Sequence, residues 1–292
     1  MTPHPMHIAV VGSSFQGDNI GKVISLLQWL QSTGAVLTLE HEFADYLRAQ
    51  CESLDLPDAV SLDEFRPDLA LSFGGDGTFL RAVAWLGRID VPILGINTGH
   101  LGYLTAAGID QGREVIEDVM RGDGYEVECR SLIELDSPLV TASGIWPYAL
   151  NEVAVLKEDT ASMIEVKTRL GDVDLATYHA DGLIVATPTG STAYNLSVGG
   201  PIIEPLAPNW VVTPIAAHTL TMRPLVLGDS SELTLTTTSR AAGYRVSIDG
   251  RSVTLPSGSD IALRRADFTV KVVQRSGHTF AATLRSKLLW GN

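Results

Sequence analysis

Along the first hundred residues, short apolar runs alternate with segments whose apolar positions recur every three to four residues. Residues 7–11 (HIAVV) form an apolar run closed by Gly12, as a buried strand does. Ile20, Val23, Ile24, Leu27 and Leu30 follow at i, i+3, i+4, i+7 and i+10, which predicts an amphipathic helix, and Gly34 stands where a C′ glycine would end it. Residues 35–39, 69–73 and 91–96 read as further strands. The run 69–73 leads at once into a glycine-rich turn and a second helical pattern from Phe79 to Leu86. Strands alternating with helices predict a parallel sheet with crossover helices.

After about residue 124 the helical spacing fades and short β-rich segments take over. Residues 164–170 and 173–178 flank Gly171-Asp172, a hairpin pattern. Residues 244–248 and 252–255 flank Asp249-Gly250-Arg251, a second one. Residues 233–239 are rich in Thr and Leu, as strands are. The second half therefore predicts a β-sandwich or another layered antiparallel domain, and no linker of Pro and Ser marks the boundary. The chain has 292 residues, 45% of them hydrophobic and 19% charged, which suits two globular domains.

Charge narrows the partners. The net charge is −13 and the longest basic cluster is the pair Arg264-Arg265, so neither nucleic acid nor an anionic membrane surface is an expected partner. Two cysteines, Cys51 and Cys129, are too few for a disulfide framework and lack metal spacing. Seven histidines are scattered without HxH or HExxH spacing, so no metal site is expected. Residues 1–6 lack a secretory signal pattern and no apolar run approaches bilayer length, which predicts a cytoplasmic protein.

The candidate chemistry begins at Gly74-Gly75-Asp76-Gly77-Thr78, between an apolar strand and a helix. Ligands of open α/β sheets bind at the carboxyl ends of strands, and a following helix N-terminus favours phosphate. Thr78 is the expected N-cap. A carboxylate among phosphates is repulsive unless a cation offsets it or a substrate hydroxyl donates to it, both of which are phosphoryl-transfer roles; otherwise Asp76 merely closes a tight turn. Neither a GxxxxGK[ST] loop nor a GxGxxG fingerprint is present. The second segment is 181–194 (DGLIVATPTGSTAY), where a strand at 182–186 feeds a loop dense in hydroxyls. Ser191 or Thr192 is expected to cap a short helix through Ser197, ended by Gly199-Gly200-Pro201. Such a loop suits a ribose-bearing or phosphorylated ligand, with Tyr194 able to stack on a ring, and it also fits a plain surface turn. Asn151-Glu152 pairs an amide with a carboxylate at a strand end, a set able to read ribose hydroxyls or an adenine edge.

Taken together these blocks resemble the NAD kinase family. The likeness rests on Gly74 to Thr78, on residues 97–104 (NTGHLGYL), on Asn151-Glu152, and on the stretch from Asp181 to Ser197 with Gly199-Gly200-Pro201. It continues through residues 218–220, 223–226 and 284–290 (LRSKLLW). GGDGT alone is shared with lipid kinases, whereas TPTGSTAYNLS after ADG is far more specific. The resemblance implies a Rossmann-like domain at 1–124, an NAD-binding β-sandwich at 125–265 and a tail at 266–292 returning to the first domain. It implies phosphorylation of the adenosine ribose 2′-hydroxyl of NAD, with ATP as co-substrate and a divalent cation, Mg²⁺ or Mn²⁺, not held in a protein cage. It implies a homodimer or homotetramer.

Residue by residue, the resemblance makes Asp76 the proton acceptor. It assigns Gly77, Arg81, Asn151, Glu152, Ser162, His179, Asp181, Thr192, Ala193, Tyr194, Asn195, Leu196, Ser197 and Arg251 to NAD, and Gly74, Gly75, Gly77, Thr78 and Asn97 to the phosphates. Three positions depart from the family pattern: His179 stands where some members have Arg, Arg251 where Gln is common, and Tyr103 where Phe is frequent. A diacylglycerol- or sphingosine-type lipid kinase and a non-catalytic NAD sensor are the alternative readings.

Overall fold

The computed structural model of the chain describes residues 5–51, 56, 61–99, 102–158 and 162–288. His100, Leu101, Leu289 and Trp290, which carry part of the family resemblance, lie outside the described residues. Two compact units form, residues 1–129 with 270–292 and residues 130–269.

In chain order the elements begin β1 (His7–Gly12), α1 (Ile20–Ser32), β2 (Val36–Leu39), α2 (His41–Gln50), α3 (Leu62–Phe65), β3 (Leu69–Phe73), α4 (Asp76–Leu86), β4 (Pro92–Asn97), β5 (Ala107–Gly108) and α5 (Gly112–Arg121). They continue β6 (Tyr125–Asp136), α6 (Pro138–Ala142), β7 (Tyr148–Ala149), β8 (Glu152–Lys157), β9 (Ile164–Leu170), β10 (Val173–Ala180), β11 (Gly182–Ala186) and α7 (Tyr194–Ser197). The last are β12 (Asn209–Ile215), β13 (Leu225–Gly228), β14 (Leu233–Ser239), β15 (Gly243–Ile248), β16 (Arg251–Pro256), β17 (Ser259–Arg275) and α8 (Phe280–Leu288).

The first unit holds a parallel sheet in the order β2-β1-β3-β4. The end of β17 joins it in parallel, with Val272 opposite Ile93. Its central strands are apolar on both faces, as strands covered on both sides are: every residue of β3 is buried. Val23, Leu27 and Leu30 of α1 pack with Ile8, Val10, Phe73 and Ile96 in one core. Gly34 has φ of +85°, so the expected glycine does end α1. Helix α8 belongs to this unit.

The second unit is a sandwich. One sheet runs β13-β12-β11-β8-β15-β16 with all neighbours antiparallel, and the other pairs β10 with β9, β9 with β14 and β14 with the start of β17. Val153, Val155, Val185 and Val246 of the first sheet meet Val166, Leu235, Ile261 and Leu263 of the second in a single core. The second predicted hairpin is tighter than its sequence suggested. Only Asp249 and Gly250 form the loop, both with positive φ (48° and 83°), and Arg251 is the first residue of β16. Two consecutive left-handed residues suit the right-handed twist of the strands they join.

Candidate active site

In the first unit, Gly12, Phe73 and Asn97 end β1, β3 and β4, and the parallel register aligns Gly12 with Phe73 and Phe73 with Ile96. The turns after these strands therefore share the carboxyl edge of the sheet, where open α/β sheets bind ligands. The Gly74 N–H donates to the Ile96 carbonyl at 3.0 Å, tying the turn after β3 to the end of β4.

Asp76 opens α4, with Gly75 as the N-cap. The expected cap at Thr78 does not form, because the helix starts two residues earlier and the Thr78 N–H already bonds the Gly75 carbonyl. The Asp76 carboxylate lies across the strand end from the loop that follows β4. Its Oδ2 accepts the Tyr103 N–H at 2.8 Å and its Oδ1 accepts the Leu104 N–H at 2.9 Å. A Cβ on Gly102 would reach within 2.0 Å of Oδ1, so this loop can press onto the carboxylate only because residue 102 has no side chain. The Lys287 ammonium of α8 donates to the Gly102 carbonyl and stands 5.3 Å from the Tyr103 ring centroid. Burial pushes the Lys287 ammonium down, and the charge of Asp76 opposes that shift. Burial, and secondarily Asp76, push the Tyr103 phenol up.

The other predicted residues of this unit divide by surroundings. Gly77 is exposed and Gly75 and Thr78 are half-buried on the first turn of α4, beside Asp76. Gly74 is buried, and a Cβ there would lie 2.2 Å from Thr78 Oγ1. Arg81 turns to the Gly12 carbonyl and lies 3.6 Å from both Glu40 and Glu42. Asn97 is buried, and its side-chain carbonyl accepts the Gly99 N–H at 2.7 Å, so it shapes the loop that reaches Asp76.

In the second unit the antiparallel register brings three segments to one end of a sheet. Glu152 at the start of β8 faces Ala186 at the end of β11, and Val153 faces Ile248. Asp249 follows, with a side chain 2% exposed. It accepts the N–H groups of Leu150 (2.7 Å), Asn151 (2.9 Å) and Glu152 (3.0 Å). By sequence alone Asp249 is only a hairpin turn residue. Burial pushes its carboxyl up while these three donors and Arg251 hold it down.

Glu152 has no such support. Burial and the neighbouring Asp249 push it up to about 8, against one bond from the Tyr194 N–H. Its Oε2 is buried without a protein partner. Two coupled buried carboxyls do not both ionise easily, and Asp249, with three N–H donors, is the better-held anion.

The loop after β11 packs on Asn151. The Thr187 N–H donates to the Asn151 carbonyl at 2.9 Å, and a Cβ on Gly190 would fall 2.0 Å from that same oxygen. Neither Ser191 nor Thr192 caps a helix: a 3₁₀ turn spans Thr189–Thr192, and Ala193 precedes the single turn of α7. Ser191 instead donates to Pro188 (2.6 Å) and accepts from the Ile203 N–H (3.0 Å). Asn195 is fully buried: its amide nitrogen donates to the Ser191 and Pro201 carbonyls and its oxygen accepts the Thr213 hydroxyl at 2.6 Å. These side chains hold the loop from within. Thr192, Ala193 and Leu196 are half-buried, and Tyr194 and Ser197 are exposed.

Further out, Asp181 pairs with Lys157 at 2.8 Å and His179 stands 3.8 Å from Glu165. Ser162 is half-buried. Arg251 donates to the Tyr148 carbonyl at 2.7 Å and lies 5.2 Å from the Trp146 ring centroid, within an aromatic group completed by Tyr148 and Phe268.

Among the described residues, no group of three or more His, Cys, Asp and Glu side chains comes together to hold a metal ion. Asp76 already accepts two N–H donors and has Lys287 beside it. This donor set does not fit a resident divalent cation. No helix of the described residues is long and apolar enough to cross a membrane.

Two family models match the chain. One, described as the ATP-NAD kinase N-terminal domain, matches residues 23–125, and the other, the ATP-NAD kinase C-terminal domain, matches residues 150–275. An NAD kinase of Bacteroides fragilis is 42% identical over 290 residues, covering 98% of each chain. One of Porphyromonas gingivalis is 42% identical over 293 residues, covering 97% of this chain and 98% of its own. Among solved structures, an NAD kinase from Archaeoglobus fulgidus in complex with ATP aligns with a TM-score of 0.72 and 28% identity, over 96% of this chain and 99% of that one. Yeast NADH kinase complexed with NADH aligns with a TM-score of 0.85 and 23% identity, over 99% and 89%, a likeness of fold.

Proposed function

From the premise that the chain belongs to the NAD kinase family, we propose that it transfers the terminal phosphoryl group of ATP to the adenosine ribose 2′-hydroxyl of NAD, giving NADP and ADP, with Asp76 orienting that hydroxyl. Family membership removes the lipid-kinase alternative.

One observation supports the role of Asp76 above all. Each oxygen of its carboxylate is fixed by a separate backbone N–H at the carboxyl edge of the sheet. A carboxylate so held presents its remaining lone pairs in one direction, as a group that must aim a substrate hydroxyl does. A carboxylate is a weak base toward an alcohol. Orientation therefore matters more than early proton removal: the proton moves to Asp76 as the new O–P bond forms and the bond to ADP breaks. The first turn of α4, with exposed Gly77, lies beside Asp76 and offers N–H groups to phosphate oxygens.

In the second unit, Asn151 and Glu152 are the groups we assign to ribose or adenine of NAD. The unpartnered Glu152 Oε2 suits a ligand hydroxyl or amine. The half-buried Thr192 and Ala193 and the exposed Tyr194 and Ser197 complete that assignment, while Asn195 supports the loop from beneath. A divalent cation would enter with the triphosphate, and no step here depends on it. Assembly as a homodimer or homotetramer and action in the cytoplasm belong to the same reading, on family resemblance.

The test is direct. The purified chain is incubated with NAD, ATP and Mg²⁺, and NADP is detected with a strictly NADP-dependent dehydrogenase. NADP appearing in step with ADP is the expected result. Measurable NAD binding without NADP from any phosphoryl donor would replace the enzyme by the sensor.

A further inference from the structure

Lys287 makes contacts that the transfer described above does not use. It lies in the last described turn of α8, 185 residues along the chain from the Gly102 carbonyl to which its ammonium donates. Gly102 precedes Tyr103 and Leu104, whose N–H groups hold the two oxygens of Asp76. The Gly102 Cα faces the carboxylate closely enough that a Cβ would collide with it. On its far side this loop is pinned by the Ala106 N–H to the Gly95 carbonyl at 2.9 Å. On the Gly102 side the anchor is the Lys287 ammonium, which also stands over the Tyr103 ring. A charge-assisted bond from a half-buried ammonium is stronger than an ordinary backbone contact, and the ring face reinforces it.

We propose that Lys287 is a positioning residue for phosphoryl transfer: by clamping the Gly102–Leu104 segment onto Asp76, the C-terminal helix sets the aim of the carboxylate. The proposal rests on the reading of Asp76 as the group that orients the 2′-hydroxyl. Loss of the clamp loosens the geometry of the reacting hydroxyl without removing a substrate contact. It therefore lowers kcat and leaves KM for both substrates nearly unchanged.

The test uses the full-length chain and four variants. Lys287→Met keeps the length and apolar stem but removes charge and donor; Lys287→Arg keeps both. Asp76→Asn and the Asp76→Asn/Lys287→Met double variant complete the set. In steady-state kinetics Lys287→Met should lower kcat by about 10–100-fold, with KM for NAD and ATP within about threefold of the parent. Its urea unfolding midpoint should stay close to the parent's, Lys287→Arg should recover most of the loss, and the double variant should be no slower than Asp76→Asn alone. Parental kcat in Lys287→Met, with Asp76→Asn inactive, overturns the clamp and leaves Asp76 in its role. A kcat loss matched by a lower unfolding midpoint and not recovered by Arg also overturns it, as helix docking alone. Near-parental turnover in Asp76→Asn instead overturns the underlying reading of Asp76.

Discussion

Gly102 and Asp76 pack so closely that a Cβ on the glycine would lie 2.0 Å from the carboxylate oxygen Oδ1. The absence of a side chain at one position is thus what lets a loop seize the carboxylate at the other. Gly102→Ala must push the loop or Asp76 aside and so distort the pair of N–H bonds that holds the carboxylate. We expect kcat to fall by about 10–1,000-fold, since small misplacements at a reacting centre are costly, while NAD binding measured by calorimetry persists. Unchanged kcat would show that the contact is not needed for turnover.

Asn195 lies in the segment most diagnostic of the family, yet its side chain is fully buried. Its amide joins the Ser191 and Pro201 carbonyls to the Thr213 hydroxyl. Asn195→Ala would leave those groups unpaired and should lower unfolding stability by about 2–4 kcal/mol. Urea denaturation measures this. Weakened NAD binding with full stability would instead place the side chain against the ligand.

Glu152 makes stability depend on pH. Burial raises its carboxyl from 4.5 to about 8 in the folded chain. A group raised in the fold contributes stability that is present below the ordinary value and is lost as pH rises through the folded value. Between those two limits, the unfolded chain releases the proton while the folded chain retains it. Unfolding free energy should therefore decline from pH 5 to pH 8 by an amount on the order of a few kcal/mol. Glu152→Gln, which cannot ionise, should remove most of that decline. A variant with the parental pH profile would contradict this account.

Much of this was legible in the sequence, and what was not has physical reasons. The alternation of β1, α1, β2 and β3 shows in apolar spacing because buried parallel strands are apolar on both faces. Helices α2 and α5 were missed: each buries only a cluster such as Phe43, Ala44 and Leu47, or Val115, Ile116 and Val119, within ten residues, too short for a repeating stripe. Asp76 stands out because a carboxylate is unexpected in a glycine turn at a helix N-terminus, a place that favours phosphate. Asp249 does not, since Asp-Gly in a hairpin already has a sufficient explanation, and only the tertiary register brings it under Leu150, Asn151 and Glu152. Lys287 was equally silent: its contact with Gly102 joins positions far apart in the chain. In the hydroxyl-rich loop, composition could not separate Thr192, which is half-buried, from Ser191 and Asn195, which point inward.

The most direct measurement is the turnover of Asp76→Asn beside the parent, with NAD and ATP both saturating and NAD affinity measured separately. Asn keeps the shape of the side chain and one oxygen for the backbone donors, but it no longer offers a carboxylate to the hydroxyl. The account predicts a loss of kcat of about 10²–10⁴-fold with NAD still bound. Near-parental turnover at saturation would contradict it.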